Sequence, residues 1–147
     1  MKRLALFFIL SFLAMPVFAD TATVARAHSE AFAKAMNAND VESALAMYAD
    51  DARVVWPGIR DEARGKPAIR ALIESTLKGF PKDSRLTLKS QDAIALGHRY
   101  IATVSHWEQS YTRSDGSKAI SQFRATEILW VKGSTTLYLV DHASAGQ

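Results

Sequence analysis

After Gly79 the chain stops reading as helix and reads as strand, and this switch limits its folds more than any other feature. Leu86 to Leu96, Tyr100 to Thr112, Ala119 to Val131 and Thr136 to Ser144 are long segments rich in β-branched and aromatic residues. Short turn signals separate them: Gly97-His98, Ser114-Asp115-Gly116 and Lys132-Gly133-Ser134. Strands joined by such short turns pair antiparallel with their sequence neighbours.

The first half has the other periodicity. Ala22 to Met36 repeats Val24, His28, Ala31, Phe32, Ala35 and Met36 at helical spacing. Asn37-Ala38-Asn39 breaks that helix, and Asp40 is placed to N-cap a second one running through Val41, Leu45 and Tyr48. Asp50-Asp51 reads as a solvated helix exit, followed by a short strand Arg53 to Trp56 that Pro57-Gly58 stops. Ile59 to Gly65 reads as a loop. Pro67 suits the first turn of a third helix ending near Leu77, with Ile69, Leu72 and Ile73 inward. Three helices followed by long antiparallel strands predict an α+β domain whose helices cover one face of a curved sheet.

Residues 1–19 carry an export pattern. Lys2 and Arg3 precede an apolar run from Leu4 to Leu13, and Val17-Phe18-Ala19 sets small residues before Asp20. The expectation is a signal peptide over 1–19, a single domain over 20–147, and a periplasmic or secreted protein with no stable membrane insertion after cleavage. The signal holds two of the chain's 18 basic side chains and none of its 15 acids. What remains is 16 against 15, a net charge of +1, which is no footprint for nucleic acid. The chain has no cysteine, which excludes disulfides, thiolate catalysis and Cys-ligated metals.

Several local stretches resemble the SnoaL-like branch of the nuclear transport factor 2-like, or cystatin-like α+β cone, superfamily. They are Ala44 to Gly58 (ALAMYADDARVVWPG), Gly65 to Ile73 (GKPAIRALI), Arg124-Ala125-Thr126-Glu127-Ile128 and Asp141-His142-Ala143-Ser144. The resemblance spans the mature chain and implies a cone-shaped, strongly curved, mixed or antiparallel sheet under three N-terminal helices. It specifies activity poorly, since the superfamily holds isomerases, cyclases, hydrolases, dehydratases, binding domains and oligomerisation domains. In one place the chain departs from the pattern. The last hairpin, Gly133 to Leu137, lacks the family's Trp, so either Tyr138 or Trp130 fills that volume or the pocket mouth is shaped differently.

In such a cone, alternate strand residues face a pocket. Arg124, Thr126, Ile128 and Trp130 share one parity of their strand, and Phe123, Ala125, Glu127 and Leu129 the other. Both sets are mixed, so alternation alone does not say which faces the pocket. The resemblance puts the Arg124–Glu127 and His142–Ser144 motifs near the cavity. There His142 would be a general acid–base, Arg124 would hold an oxyanion or carboxylate, and Glu127 or Glu108 would orient the histidine. The same arginine would otherwise pair with Glu108 or Glu127 to satisfy the sheet, and the histidine would bond the backbone. Thr126 and Trp130, on the parity of Arg124, are ligand-facing candidates with it. His106, Trp107 and Glu108 form a second cluster, in which alternation gives one face an aromatic wall and the other a His/Glu pair. That pair would polarise a ligand, or else face solvent or a second copy. Tyr48 and Trp56 bracket the helix-to-strand junction, as cavity wall or as core.

Neither a metal nor a cofactor is expected, because no His-Glu-x-x-His, phosphate loop or dinucleotide fingerprint occurs. The leading expectation is an exported, non-catalytic pocket for a small organic molecule in a protein that dimerises through the outer sheet face. The alternatives are a cofactor-independent isomerase, cyclase or lyase using His142 and Arg124, and a pure assembly module.

Overall fold

The structure, a computed structural model, describes residues 20–145. The expected signal peptide and its cleavage point before Asp20 lie outside them. Among the described residues no helix is long and apolar enough to cross a membrane.

Helix α1 (Thr21–Asn37) starts where Asp20 accepts the amide of Ala22, and it buries Ala25, His28, Ser29, Phe32, Ala33, Ala35 and Met36 on one face. Asn39 takes a left-handed φ of 55° between the helices. Asp40 then caps α2 (Val41–Ala46), accepting from the amide and hydroxyl of Ser43 at 3.0 and 2.6 Å. This helix is shorter than its spacing predicts. Tyr48 already belongs to β1 (Tyr48–Val55), because the Met47 carbonyl accepts from the Tyr138 amide at 2.8 Å and Tyr48 sits in register with Tyr138. The Asp50-Asp51 pair therefore lies in an irregular stretch of strand rather than at a helix exit.

Ala63–Arg64 form β2, a two-residue strand inside the segment that reads as a loop, paired to β1 at Arg53 and Val54. Helix α3 (Gly65–Gly79) follows, with Ile69 and Ile73 fully buried. Gly65 opens it at φ +72°, and a Cβ there would sit 3.2 Å from the Asp50 carbonyl oxygen. Gly65→Ala should therefore cost about 1–2 kcal/mol from the left-handed backbone alone. Urea unfolding of the variant against the wild type measures it, and an unchanged midpoint would refute the constraint.

The four long strands are β3 (Arg85–Leu96), β4 (Tyr100–Thr112), β5 (Lys118–Lys132) and β6 (Thr135–Ala145). They lie close to the predicted segments. The six-stranded sheet runs β2-β1-β6-β5-β4-β3. All its pairs are antiparallel except β1–β6, so the sheet is mixed and remains open. Besides the irregular stretch of β1, two further register shifts shape it. The β3–β4 register shifts between Leu88 and Ser90, and the β5–β6 register shifts between Ile128 and Leu129, which pair with Val140 and Tyr138. An extra residue in one strand bends it and reverses the facing of everything beyond. At the β3 edge the Asn37 side chain makes two hydrogen bonds with the backbone of Leu86. It accepts from the amide at 2.7 Å and donates to the carbonyl at 2.9 Å.

Candidate functional site

Between the helices and the concave sheet face lies a cavity of about 230 Å³. Its walls are mostly apolar: Phe32 and Met36 from α1, Phe80 after α3, and Trp107 and Phe123 from the sheet. Trp107 and Phe123 lie nearly parallel, 5° apart in plane with centroids at 6.3 Å. Ala125 and Ala143 leave room beside them.

Two carboxyl groups interrupt this lining. Glu127 on β5 and Asp141 on β6 are direct cross-strand partners, line the same cavity, and are 2% and 5% exposed. Each is anchored through one oxygen. Asp141 Oδ2 accepts from the Tyr48 hydroxyl at 2.7 Å and from the Trp56 indole N–H at 2.8 Å. Glu127 Oε2 accepts from Ser105 at 2.9 Å and from Thr103. Behind Ser105, the Gln91 amide donates to both Ser29 and Ser105, at 2.7 and 3.1 Å, tying α1, β3 and β4 to the glutamate. The second oxygens, Glu127 Oε1 and Asp141 Oδ1, take no bond from the described residues. Neither is among the sealed, unpartnered polar atoms, which are His28 Nε2 and Gln91 Oε1. Each carboxyl thus offers one free oxygen to the cavity.

Burial sets the electrostatics. It pushes the Glu127 carboxyl up to about 7, with the nearby Asp141 charge adding to the rise. Asp141 is also raised by burial, against the opposing pull of its Tyr48 and Trp56 donors. Two desolvated carboxylates side by side resist carrying two charges, so the pair retains a proton near neutrality. Trp56 can only donate, whereas Thr103 and Ser105 can reverse their hydroxyls, so charge settles on Asp141 and the proton on Glu127.

An aromatic cluster supports the anchors. Phe32 packs edge-on to Tyr48, Trp56 and Tyr138, with centroids at 6.0, 6.1 and 5.6 Å. Tyr138 is 5.1 Å from Tyr48 and 4.4 Å from the buried His28 ring. Burial lowers His28 to about 4, so the ring is neutral at physiological pH. Burial also holds both phenols well above their usual value, keeping Tyr48 a donor.

Of the residues the sequence singled out, Glu127, Trp56 and Trp107 line the cavity, and Tyr48 holds Asp141 from beneath. The others face away. His142, Arg124, Thr126 and His106 are exposed on the convex side of the sheet, and Trp130 lies there with Lys132 over its ring at 5.4 Å. Glu108 is on that side too, paired with Lys89 at 3.5 Å, and His106 contacts Ser90 at 3.2 Å. The expected His142–Arg124 pairing in the cavity is therefore corrected: their β-strand parity is that of the outer face. Asp141 was missed as a site residue and Tyr138 was named only as a filler of volume; both stand inward because of the β6 irregularity. Of the two aromatic residues near that hairpin, Tyr138 is buried in the core and Trp130 is partly buried against it. Among the described residues no cluster of three His, Cys, Asp or Glu side chains could hold a metal ion.

This arrangement has relatives. The SnoaL-like domain profile matches residues 29–134. The chain belongs to the SnoaL-like domain family. Among solved structures it is similar to a ketosteroid isomerase-like protein from Erwinia carotovora atroseptica, with TM-score 0.71, 20% identity, and 88% of this chain and 99% of that one covered. It is also similar to a cystatin-like fold protein from Caulobacter vibrioides, with TM-score 0.72, 19% identity, and 86% and 90% covered. A third is ActVI-ORFA from Streptomyces coelicolor, with TM-score 0.71, 13% identity, and 83% and 94% covered. At these identities the likeness shows the fold. No curated protein matches the sequence.

Proposed function

We propose that the cavity binds a small, largely apolar carbonyl compound and moves a proton at the carbon beside its carbonyl, as a cofactor-independent isomerase or lyase does. The observation that carries this reading is the carboxyl pair with one free oxygen each at the end of an apolar, aromatic-walled cavity. Asp141 takes the proton from carbon. Glu127, protonated, donates a hydrogen bond and then its proton to the carbonyl oxygen, giving an enol; Asp141 then delivers the proton it took to another carbon while Glu127 recovers the enol O–H proton, which completes the shift. A protonated carboxyl is the donor on which the oxyanion relies, since no Lys, Arg or His stands among the described lining residues.

The test is hydrogen exchange at carbon. With 2-tetralone in D2O, the protein should accelerate deuterium incorporation beside the carbonyl, followed by NMR, and the rate should fall above about pH 7 as Glu127 loses its proton. Saturable binding of such ketones with no exchange would instead favour the non-catalytic pocket, for which the predominantly apolar lining speaks.

The convex face belongs to a second copy of the chain in this reading. Ile94, Leu96, Tyr100, Val104 and Val140 are exposed there, and cross-strand pairing joins them through Ala102, Ile128 and Trp130. So continuous an apolar strip on a small domain is a liability unless covered. Val104→Glu should convert a dimer to monomer in sedimentation without loss of helical signal, and a wild-type monomer would end the proposal. The sequence of residues 1–19 supports placing this activity outside the cytoplasm.

A further inference from the structure

We infer that the cavity also takes protonated arylalkyl amines, whose ammonium group bridges Glu127 Oε1 and Asp141 Oδ1 and displaces the proton the pair holds. Buried carboxylates are normally balanced by a cation. Here the anchoring partners are neutral: Tyr48, Trp56, Thr103 and Ser105. No Lys, Arg or His lines the cavity among the described residues, so a ligand is left to supply the positive charge. The free oxygens belong to cross-strand partners on one face, where Cβ atoms stand about 4.5–5.5 Å apart, a span that one ammonium with three donors can bridge. The walls suit the rest of such a molecule. Phe32, Trp56, Trp107, Phe123 and Tyr138 present rings, which attract cations as well as apolar carbon. A single aromatic ring with a short chain fits the space, since cavities near 150 Å³ already admit benzene.

The binding is linked to protons in a definite direction. Free, the pair holds one proton; bridged by a cation, it carries two charges, so each amine bound releases a proton. The other titratable side chains around the pair are Tyr48 from β1, Tyr138 from the same strand and His28 from α1, with His142 acting from the far side of β6. The two phenols stay protonated and His28 stays neutral across pH 5–8.5, so none of these three supplies the released proton.

Calorimetry with 2-phenylethylamine in two buffers of different ionisation enthalpy tests this. Near pH 6, about one proton should leave per amine bound, and close to none at pH 8.5. Affinity should rise about tenfold per pH unit across the pair's titration. The amine should bind at least tenfold more tightly than 2-phenylethanol at pH 8.5, and Glu127→Gln should abolish the proton release. If that variant does not fold, the wild-type titration decides alone. Equal affinity for amine and alcohol, or amine binding without proton exchange, overturns the inference. Exchange at carbon is measured without amine present, so failure here and failure of the proposed reaction are separate results.

Discussion

Asp141→Asn should slow deuterium incorporation into 2-tetralone by about 10²–10⁴-fold, the range typical of a lost general base. The substitution is nearly isosteric. The amide oxygen can still accept from Tyr48 and Trp56, so the anchor survives while the charge that takes the proton is gone. Glu127→Gln should lose a comparable factor for the opposite reason. Its amide can still donate to a carbonyl oxygen but has no proton to transfer, and the decline of activity above about pH 7 should vanish with it. By contrast His142→Ala, on the convex face, should leave the rate of a folded protein unchanged. Full activity in Asp141→Asn would remove the carboxyl pair from the chemistry.

The stability of the fold should pass through a maximum near pH 5–6, governed by two buried groups with opposite signs. His28 binds a proton near 6.5 when unfolded and near 4 when folded. Between those values the unfolded chain holds more protons, so stability is lost as pH falls, by about 3 kcal/mol in all. Glu127 goes the other way, from 4.5 unfolded to about 7 folded. The folded state holds the extra proton, and stability is lost as pH rises through that interval, again by about 3 kcal/mol. Asp141, also raised, adds a loss of the same sign as pH rises. Across their overlap the terms from His28 and Glu127 offset one another. His28→Phe should therefore abolish much of the acid-side decline, and it removes an unpartnered buried nitrogen as well. Glu127→Gln should flatten the alkaline side. Urea midpoints from pH 4 to 8 measure both, and a His28→Phe profile that overlays the wild type would show that this ring does not control acid sensitivity.

These results also mark where the sequence was legible. The long strands declare themselves by composition and by the Gly97, Gly116 and Gly133 turns, all at positive φ. The start of the second helix at Asp40 follows from capping chemistry. The site was half legible: Glu127, Trp56 and Trp107 are visible as candidates, but their common face is not. Facing is a matter of counting by two, and one extra residue on β6 defeats the count. Counted from Tyr138 without it, His142 would point inward and Asp141 outward; with it, Tyr138 and Asp141 share the interior. The β3 irregularity does the same for Gln91: counted from Leu86 and Leu88 without the extra residue, Ser90 would point inward and Gln91 outward, yet Gln91 is the one that reaches Ser105. Neither irregularity is marked by a glycine or proline, so no local signal announces it. Tyr48 failed as a helix residue for a related reason. Its strand partner lies ninety residues away, and only that pairing makes it a strand.

The two bonds from Asn37 to Leu86 give the sheet a boundary as well as a fastening. A free strand edge is a template on which another chain can extend the same ladder. At Leu86 that template is already occupied, because one amide side chain satisfies the donor and acceptor that an incoming strand would need. The helix that roofs the cavity thereby also acts as a terminator, stopping growth of the sheet at the end of β3 that lies beside the cavity.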